Sequence, residues 1–200
     1  LQKNVYELFG FSRDAVYAVG AEGMIAHWNG VNWGSQYSGL SEDLRDVHGT
    51  RPGNLYAVGD RGSLIHFDGT SWSQEDIPTT SHLRTVWAVD EERAWAAGSY
   101  LILRRGPEGW AYESNQVYGS WNDAWGMVLD PEDSSGTSPS SLFLVGDYGS
   151  IARYDGSLWA QTGSGVFVSM KGVWGRANDE VWALGEEGTI LRWDGSAWTP

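Results

Sequence analysis

Five cationic or titratable side chains recur at one position of a repeating unit, and they are the first candidates for chemistry in this chain. They are His27, His66, Arg104, Arg153 and Arg192. Acids recur at a second position, as Glu7, Asp46 and Asp123. The two sets suit an anion site, but they also suit ion pairs and long side chains packed between neighbouring sheets, the interpretation that we favour. The two histidines have no third ligand at metal-binding spacing, so we expect no metal site and no cofactor.

A glycine follows Asn or Asp in four hairpins of the repeat, at Asn29, Asp68, Asp155 and Asp194. These side chains are either ligands or turn formers. Asn and Asp tolerate a left-handed backbone and bond nearby backbone amides, so we favour turn formation. Catalytic signatures such as a Ser–His–Asp order, a phosphate-binding loop or an HExxH motif do not stand out against the repeat. We therefore predict that the protein is not an enzyme, and we name no catalytic residue.

A third set of residues lies in the polar second turns of the repeat and in the loops that join one repeat to the next. The turns are Ala21-Glu22, Asp60-Arg61, Ser99-Tyr100, Asp147-Tyr148 and Glu186-Glu187, and the loops carry Tyr37, Tyr112, Tyr118 and Phe167. Aromatic rings beside acids and amides suit sugar recognition or a protein-binding hot spot; the alternative is ordinary turns with aromatics packed under loops. We predict a ligand-binding surface made by Tyr37, Asp60, Arg61, Tyr100, Tyr118, Tyr148 and Glu187.

The unit that positions these residues is about forty residues long and ends in a tryptophan. The tryptophans are Trp33, Trp72, Trp110, Trp159 and Trp198, separated by 39, 38, 49 and 39 residues. The second unit contains four short strands, predicted at residues 44–49, 54–59, 63–67 and 70–73, with Asp68-Gly69 as a strong hairpin signal. Short strands at such a period are typical of a radial repeat.

We therefore predict an all-β fold, a five-bladed β-propeller with four antiparallel strands per blade. We expect a single domain over residues 1–200, with blades at about residues 5–43, 44–82, 83–120, 121–169 and 170–200. One aromatic position on the first strands is predicted to pack between blades, at Phe9, His48, Trp87, Trp125 and Trp174.

Two blades depart from the pattern. Blade 3 has its second turn shortened to Ser99-Tyr100 and uses residues 106–109 as its hairpin, and blade 4 carries about ten extra residues at 130–139. Drift in a tolerant repeat explains both departures, and the alternative is that they mark where a partner docks.

Composition excludes several kinds of partner. The formal net charge is −13, and an acidic surface disfavours nucleic acid and anionic membranes. No apolar run reaches the roughly 18 residues that a spanning helix needs. We expect neither nucleic-acid binding nor membrane insertion, and the absence of cysteine excludes disulfides and thiolate metal sites.

Two stretches of the chain resemble a known repeat family. Residues 59–72, GDRGSLIHFDGTSW, and residues 185–198, GEEGTILRWDGSAW, are similar to bacterial propeller repeats of the BNR and Asp-box-like group. The resemblance implies the propeller fold and an extracytoplasmic location, secreted or at the cell surface. A true Asp-box has Ser or Thr two residues before its Asp and a residue between Asp and Gly, whereas His66 precedes Asp68 here and Gly69 follows it directly. Sialidase-type activity is therefore not carried over.

Our leading hypothesis is a non-catalytic binding module that recognises a glycan or surface polymer through the face formed by the second turns and the inter-blade loops. The alternative is a protein-interaction or assembly scaffold, with a partner protein in place of the glycan. A glycoside hydrolase is the third and least favoured hypothesis. The sequence leaves the oligomeric state open.

Overall fold

The computed structural model describes residues 3–90, 92–113, 117–127 and 141–200. The predicted insertion at 130–139 in blade 4 lies outside the described residues. The chain divides into two compact units. Unit 1 comprises Leu1–Ala97 and Ile102–Tyr112, and unit 2 comprises Gly98–Leu101 and Glu113–Pro200. The prediction of a single domain over residues 1–200 stays a prediction.

Five antiparallel sheets of four strands each form the protein, and in every sheet the strands follow one another in chain order. Blade 1 contains β1 (Val5–Ser12), β2 (Ala15–Gly20), β3 (Met24–Trp28) and β4 (Trp33–Gln36). Blade 2 contains β5 (Leu44–Arg51), β6 (Asn54–Gly59), β7 (Leu64–Phe67) and β8 (Trp72–Gln74). Blade 3 contains β9 (Leu83–Ala88), β10 (Ala94–Gly98), β11 (Leu101–Gly106) and β12 (Gly109–Tyr112).

Blade 4 contains β13 (Trp121–Met127), β14 (Ser141–Gly146), β15 (Ile151–Tyr154) and β16 (Trp159–Thr162). Blade 5 contains β17 (Met170–Ala177), β18 (Glu180–Gly185), β19 (Ile190–Trp193) and β20 (Trp198–Thr199). The remaining regular elements of the described residues are one-turn 3₁₀ segments at Ala21–Gly23, Asp60–Gly62, Asp147–Gly149 and Glu186–Gly188. The structure thus has the predicted fold, an all-β five-bladed propeller with four antiparallel strands per blade.

Burial on both faces of the sheets explains the continuous apolar runs in the sequence. Every residue of β6 and of β14 is buried, as expected for a strand covered on both sides. The core between blades 1 and 2 takes Tyr17, Val19 and Ile25 from one sheet. It is completed from the other sheet by Leu44, Val47, Leu55, Ala57, Ile65 and Phe67. Packing between successive sheets, rather than any helix, therefore supplies the apolar core of these units.

In blades 2 and 5, the tryptophan that ends the repeat ties the outer strand to the preceding blade. Trp72 donates its indole N–H to Gln36 Oε1 at 2.8 Å in unit 1. Trp198 donates its indole N–H to Thr162 Oγ1 at 3.2 Å in unit 2. Trp33 is different, because its side chain is 41% exposed.

The aromatic position of the first strands packs between blades, as predicted, in most of the blades. His48 lies between Phe9 and Trp87, with ring-centroid distances of 4.5 Å and 4.0 Å, and Trp125 is buried. The prediction is wrong for Trp174, which is 61% exposed.

Candidate binding surface

The second turn of every blade places a residue other than glycine in the left-handed backbone region. The φ values are 52° for Glu22, 56° for Arg61, 59° for Tyr100, 56° for Tyr148 and 58° for Glu187. Such a residue costs roughly 1–2 kcal/mol relative to right-handed geometry, so the surrounding turn must impose the conformation. Four of these five are predicted site residues, and all five side chains are exposed.

The glycine after the left-handed residue explains why the turn keeps its shape. Gly62 has φ 72°, and a Cβ there would lie 2.4 Å from the carbonyl oxygen of Thr79. In blade 4, a Cβ on Gly149 would lie 2.0 Å from the carbonyl oxygen of Val166. Because Thr79 and Val166 belong to the loops that leave these blades, the second turns and the inter-blade loops share one face, as predicted. We call this face the second-turn face of each unit.

The first residue of the second turn anchors the turn to the sheet. Asp60 accepts from Arg45 Nη2 at 2.6 Å and Nε at 3.2 Å, and its Oδ1 lies 2.9 Å from His82 Nδ1. The hydrogen bonds from Arg45 hold the pKa of Asp60 below its usual range. In blade 5, Glu186 pairs with Lys171 at 3.1 Å. Asp60, predicted to bind ligand, therefore has its carboxylate committed to a structural ion pair.

On unit 1, the second-turn face carries a cavity beside a predicted site residue. Tyr37, 88% exposed, borders a cavity of about 430 Å³. Its wall includes Met24 and the ion pair of Lys3 with Glu22, whose Nζ and Oε2 atoms are 3.1 Å apart. The remaining lining residues are Gly23, Ile25, Ser35, Gln36, Ser38 and Leu40. This cavity offers an aromatic ring, hydroxyls and an amide around an apolar wall.

Arg61 also lies on the second-turn face of unit 1. Its side chain is 80% exposed, and its Nη1 is 3.8 Å from Glu42 Oε1. The guanidinium is therefore open to a partner. Sequence reasoning named Arg61 and Tyr37 as site residues. It placed Glu22 in a repeated second turn without naming it as a site residue, and it did not find Lys3, which belongs to no repeated pattern.

Four aromatic side chains on the second-turn face of unit 2 are open to solvent. They are Tyr100, Tyr118, Tyr148 and Phe167, and each is between 77% and 88% exposed. We call them the aromatic set. Sequence analysis named the three tyrosines as site residues and Phe167 as a loop aromatic; the rings are exposed in this unit, and their role in binding stays a prediction. Glu187 is exposed in the neighbouring second turn of blade 5.

Backbone contacts place the aromatic set on connected segments. Ser99, next to Tyr100, forms a β-bridge with Ser120, which is two residues from Tyr118. The amide of Asp147, next to Tyr148, donates to the carbonyl of Ser120 at 2.9 Å. Gly149 lies close to the carbonyl oxygen of Val166, so Phe167, the next residue, is attached to the same turn. Four residues far apart in the sequence are therefore mounted on one linked group of turns.

The recurring cations stack on aromatic rings of the second strands. His27 stacks on Tyr17 and His66 on Tyr56, both with centroids 4.5 Å apart. In blade 3, the Arg104 guanidinium lies 5.4 Å from the Trp95 ring. Burial lowers the pKa of His66, whose Nε2 is 2.7 Å from Asn54 Oδ1. This geometry fits the structural interpretation of the cation row.

The recurring acids of the first strands bond backbone amides. Asp46 accepts the N–H of Val47 and of Val86, both at 2.7 Å. Asp123 accepts the N–H of Ala124 at 2.9 Å and of Val173 at 2.7 Å. Because the second amide in each case belongs to the next blade, these acids join successive sheets. No sequence pattern identified this role.

The Asp side chains of the Asp-Gly hairpins stabilise their turns, which is the interpretation that the sequence analysis favoured over ligand binding. Asp68 Oδ1 accepts the N–H of Thr70 at 2.8 Å and of Ser71 at 2.9 Å. The same contacts recur at Asp194, where backbone amides and the Ser196 hydroxyl lower the carboxyl pKa to about 2. Tyr112 is also structural, because its hydroxyl donates to the carbonyl of Pro78 at 2.8 Å.

The described residues contain no group of three or more His, Cys, Asp or Glu side chains placed to hold a metal ion. In the same part of the chain, no helix has the length and apolar character needed to cross a membrane.

No protein-family model and no curated protein sequence matches the chain. Among solved structures, it is similar to YCF48 bound to D1 peptide, with 17% identity, 98% of this chain and 80% of that chain covered, and a TM-score of 0.54. YCF48 from Cyanidioschyzon merolae gives 15% identity, 96% and 70% coverage, and a TM-score of 0.69. The WD40 β-propeller domain of Doa1 gives 12% identity, 100% and 68% coverage, and a TM-score of 0.73. These similarities establish a propeller repeat protein, and membership of the BNR and Asp-box group stays a prediction.

Proposed function

We propose that this protein is a non-catalytic protein-binding module whose partner segment lies on the second-turn face of unit 2. The observation that carries the proposal is the aromatic set, four large rings at 77–88% exposure on one group of connected turns. Exposed aromatics grouped in this way are typical of binding hot spots, since each buries a large area when a partner covers it.

Preorganisation supports the same function. Tyr100 and Tyr148 themselves have a left-handed backbone, with φ of 59° and 56°. The turn at Tyr148 is held in place by the close approach of Gly149 to Val166. A ring held on a rigid turn loses little backbone freedom on binding. We interpret the left-handed backbone at Tyr100 and Tyr148 as strain that is retained because it displays the two rings to solvent.

Partner chemistry follows from the rings and the charge. Four aromatic faces suit aliphatic, proline or cationic side chains of an extended segment. The net charge of −13 favours a partner segment that carries Lys or Arg, and an acidic segment is repelled. A propeller of the same fold, YCF48, has been solved bound to D1 peptide, which supports a peptide as the kind of partner.

A screen with a random peptide display library tests the proposal directly. Peptides selected on the wild-type protein are measured against Tyr100→Ala, Tyr148→Ala and the matched control Tyr37→Ala, which removes a tyrosine of at least equal exposure from unit 1. We expect enrichment of Lys or Arg, and at least about a tenfold loss of affinity in the unit 2 variants with no loss in the control. Selected peptides that bind all three variants as well as wild type would overturn the proposal.

A glycan at unit 1 is the second candidate, and the cavity beside Tyr37 favours it. An exposed ring, the hydroxyls of Ser35 and Ser38 and the amide of Gln36 surround about 430 Å³ of space, a combination that suits a sugar. A glycan array probed with wild type and Tyr37→Ala tests this candidate, since binding must depend on Tyr37. Turnover of chromogenic glycosides would instead favour the hydrolase hypothesis, and cell fractionation tests the expected extracytoplasmic location.

A further inference from the structure

The loop that enters blade 4 is tied to the outer strand of the same blade by one glutamine. The backbone N–H of Tyr118 donates to Oε1 of Gln161 at 3.2 Å, and Nε2 of Gln161 donates to the carbonyl oxygen of Tyr118 at 3.3 Å. The two residues are 43 positions apart in the chain, and both belong to unit 2. We call this pair of hydrogen bonds the glutamine clamp.

Gln161 can hold a loop because its own backbone is part of a sheet. It lies in β16 and pairs with Ala152 of β15, so its side chain starts from a fixed point. A glutamine amide offers an acceptor oxygen and N–H donors, the two kinds of group that a neighbouring strand offers to a main chain. Only one orientation of this amide satisfies both backbone groups of Tyr118. The glutamine clamp therefore fixes the backbone of Tyr118 as one additional strand pairing would.

The residues on either side of Tyr118 are also held in place. Val117 is buried, with 7% of its surface exposed. A Cβ on Gly119 would lie 3.0 Å from Cη2 of Trp121 and 3.2 Å from Cβ of Ser150, so this part of the backbone packs against blade 4. The side chain of Tyr118, by contrast, is 79% exposed. The loop is thus anchored before, at and after Tyr118, while the ring extends into solvent.

The same position of the repeat holds an entering loop in unit 1. Gln161 is the second residue after the tryptophan that ends its repeat, and Tyr112 has this position in blade 3. The hydroxyl of Tyr112 donates to the carbonyl oxygen of Pro78 at 2.8 Å, and Pro78 belongs to the loop that enters blade 3. The outer strand therefore reaches back to the entering loop in both blades. In blade 4, the loop residue that it holds is one that displays an aromatic ring.

We propose that Gln161 is a positioning residue for the Tyr118 ring in partner binding. The inference rests on the proposed function, in which Tyr118 belongs to the aromatic set. A ring whose backbone is already fixed loses less conformational freedom when a partner segment covers it. Both hydrogen bonds of the glutamine clamp are exposed, so water can replace them at little cost to the folded state. The clamp therefore contributes to the display of the ring more than to global stability.

Two measurements on Gln161→Met test the proposal, because methionine keeps the length of the side chain and removes both hydrogen bonds. Amide hydrogen exchange followed by NMR reports the clamp itself, and we expect exchange at the Tyr118 N–H to become about fivefold faster. The affinity for peptides selected on the wild-type protein is expected to fall about threefold to tenfold. The melting temperature is expected to stay that of the wild type.

Blade 2 supplies the matched control, because Gln74 is the same residue at the same position of the repeat. Gln74→Met leaves the glutamine clamp intact, so it should change neither the exchange rate at Tyr118 nor the affinity for the selected peptides. Unchanged affinity in Gln161→Met would overturn the proposal. A loss of affinity accompanied by a lower melting temperature would also overturn it, since the residue would then serve stability.

A double-mutant cycle with Tyr118→Ala separates positioning from direct contact. If Gln161 acts through the ring, Gln161→Met weakens binding by the wild type and has no further effect in the Tyr118→Ala background. An equal loss in both backgrounds would mean that Gln161 touches the partner itself, which refutes the positioning role. A wild-type protein that selects no peptide would refute the proposed function as well, and hydrogen exchange at Tyr118 would still report whether the clamp exists. If peptides bind and the cycle shows no coupling, the role of Gln161 alone is refuted.

Discussion

Removing the carboxylate of Asp46 tests how one blade holds the next. Its two oxygens accept the N–H of Val47 and of Val86, each at 2.7 Å, and both valines are buried. Alanine at this position leaves two buried amides without this acceptor. A hydrogen bond to an ionised group contributes about 1.5–3 kcal/mol, so we expect Asp46→Ala to lower the free energy of unfolding by roughly 3–5 kcal/mol.

Blade 1 provides the control for this experiment. Glu7 occupies the same repeat position, and its carboxylate accepts the N–H of Leu8 at 2.9 Å at an exposed site. We expect Glu7→Ala to cost less than about 1 kcal/mol. Urea unfolding followed by tryptophan fluorescence measures both variants at neutral pH, and Asp123→Ala repeats the test in unit 2. Equal losses for Asp46→Ala and Glu7→Ala would refute the bridging role.

Three further predictions concern single positions. Burial lowers the pKa of His48 from 6.5 to about 3, so between these pH values the unfolded state binds a proton that the folded state does not. The contribution of neutral His48 to stability is therefore complete above pH 6.5, and the free energy of unfolding decreases by at most about 1.4 kcal/mol for each unit by which the pH is lowered. Urea titrations of His48→Phe at several pH values should show a smaller decrease. Gly62→Ala is expected to cost about 2–3 kcal/mol, because φ is 72° and Thr79 O lies 2.4 Å from the new Cβ, whereas Gly163→Ala, with nothing within 4 Å, should melt like wild type. Tyr148→Gly removes left-handed strain, so its melting temperature should not fall while binding of selected peptides is lost; a lower melting temperature would argue against strain at this turn.

The sequence predicts the strands and hairpins well, because the strand signals recur in all five blades and the Asn-Gly or Asp-Gly hairpin in four of them. The blade-3 turn at Ser99-Tyr100 and the Asp68-Gly69 hairpin both lie where the pattern places them. The role of Asp46 was not predictable, since its second partner, Val86, is forty residues away and backbone amides leave no trace in the residue types.

The candidate site was predicted only in part, for a similar reason. Tyr100, Tyr118 and Tyr148 are exposed as expected, because polar turns keep large rings in solvent when no strand covers them. The commitment of Asp60 to Arg45 was missed, because a carboxylate free for ligand and one bound to a neighbouring arginine look identical in a single sequence. The exposure of Trp174 was also missed, because Trp125 has the same residue type at the same repeat position and is buried.

The left-handed residue of the second turn has a consequence for how such proteins diversify. Glu, Arg and Tyr occupy it, and none of them branches at Cβ, the feature that this backbone tolerates least. New recognition properties can therefore evolve, or be engineered, by exchanging the residues at these five positions for others that do not branch at Cβ, while the scaffold stays constant. The β-branched residues Val, Ile and Thr are not accepted at these positions.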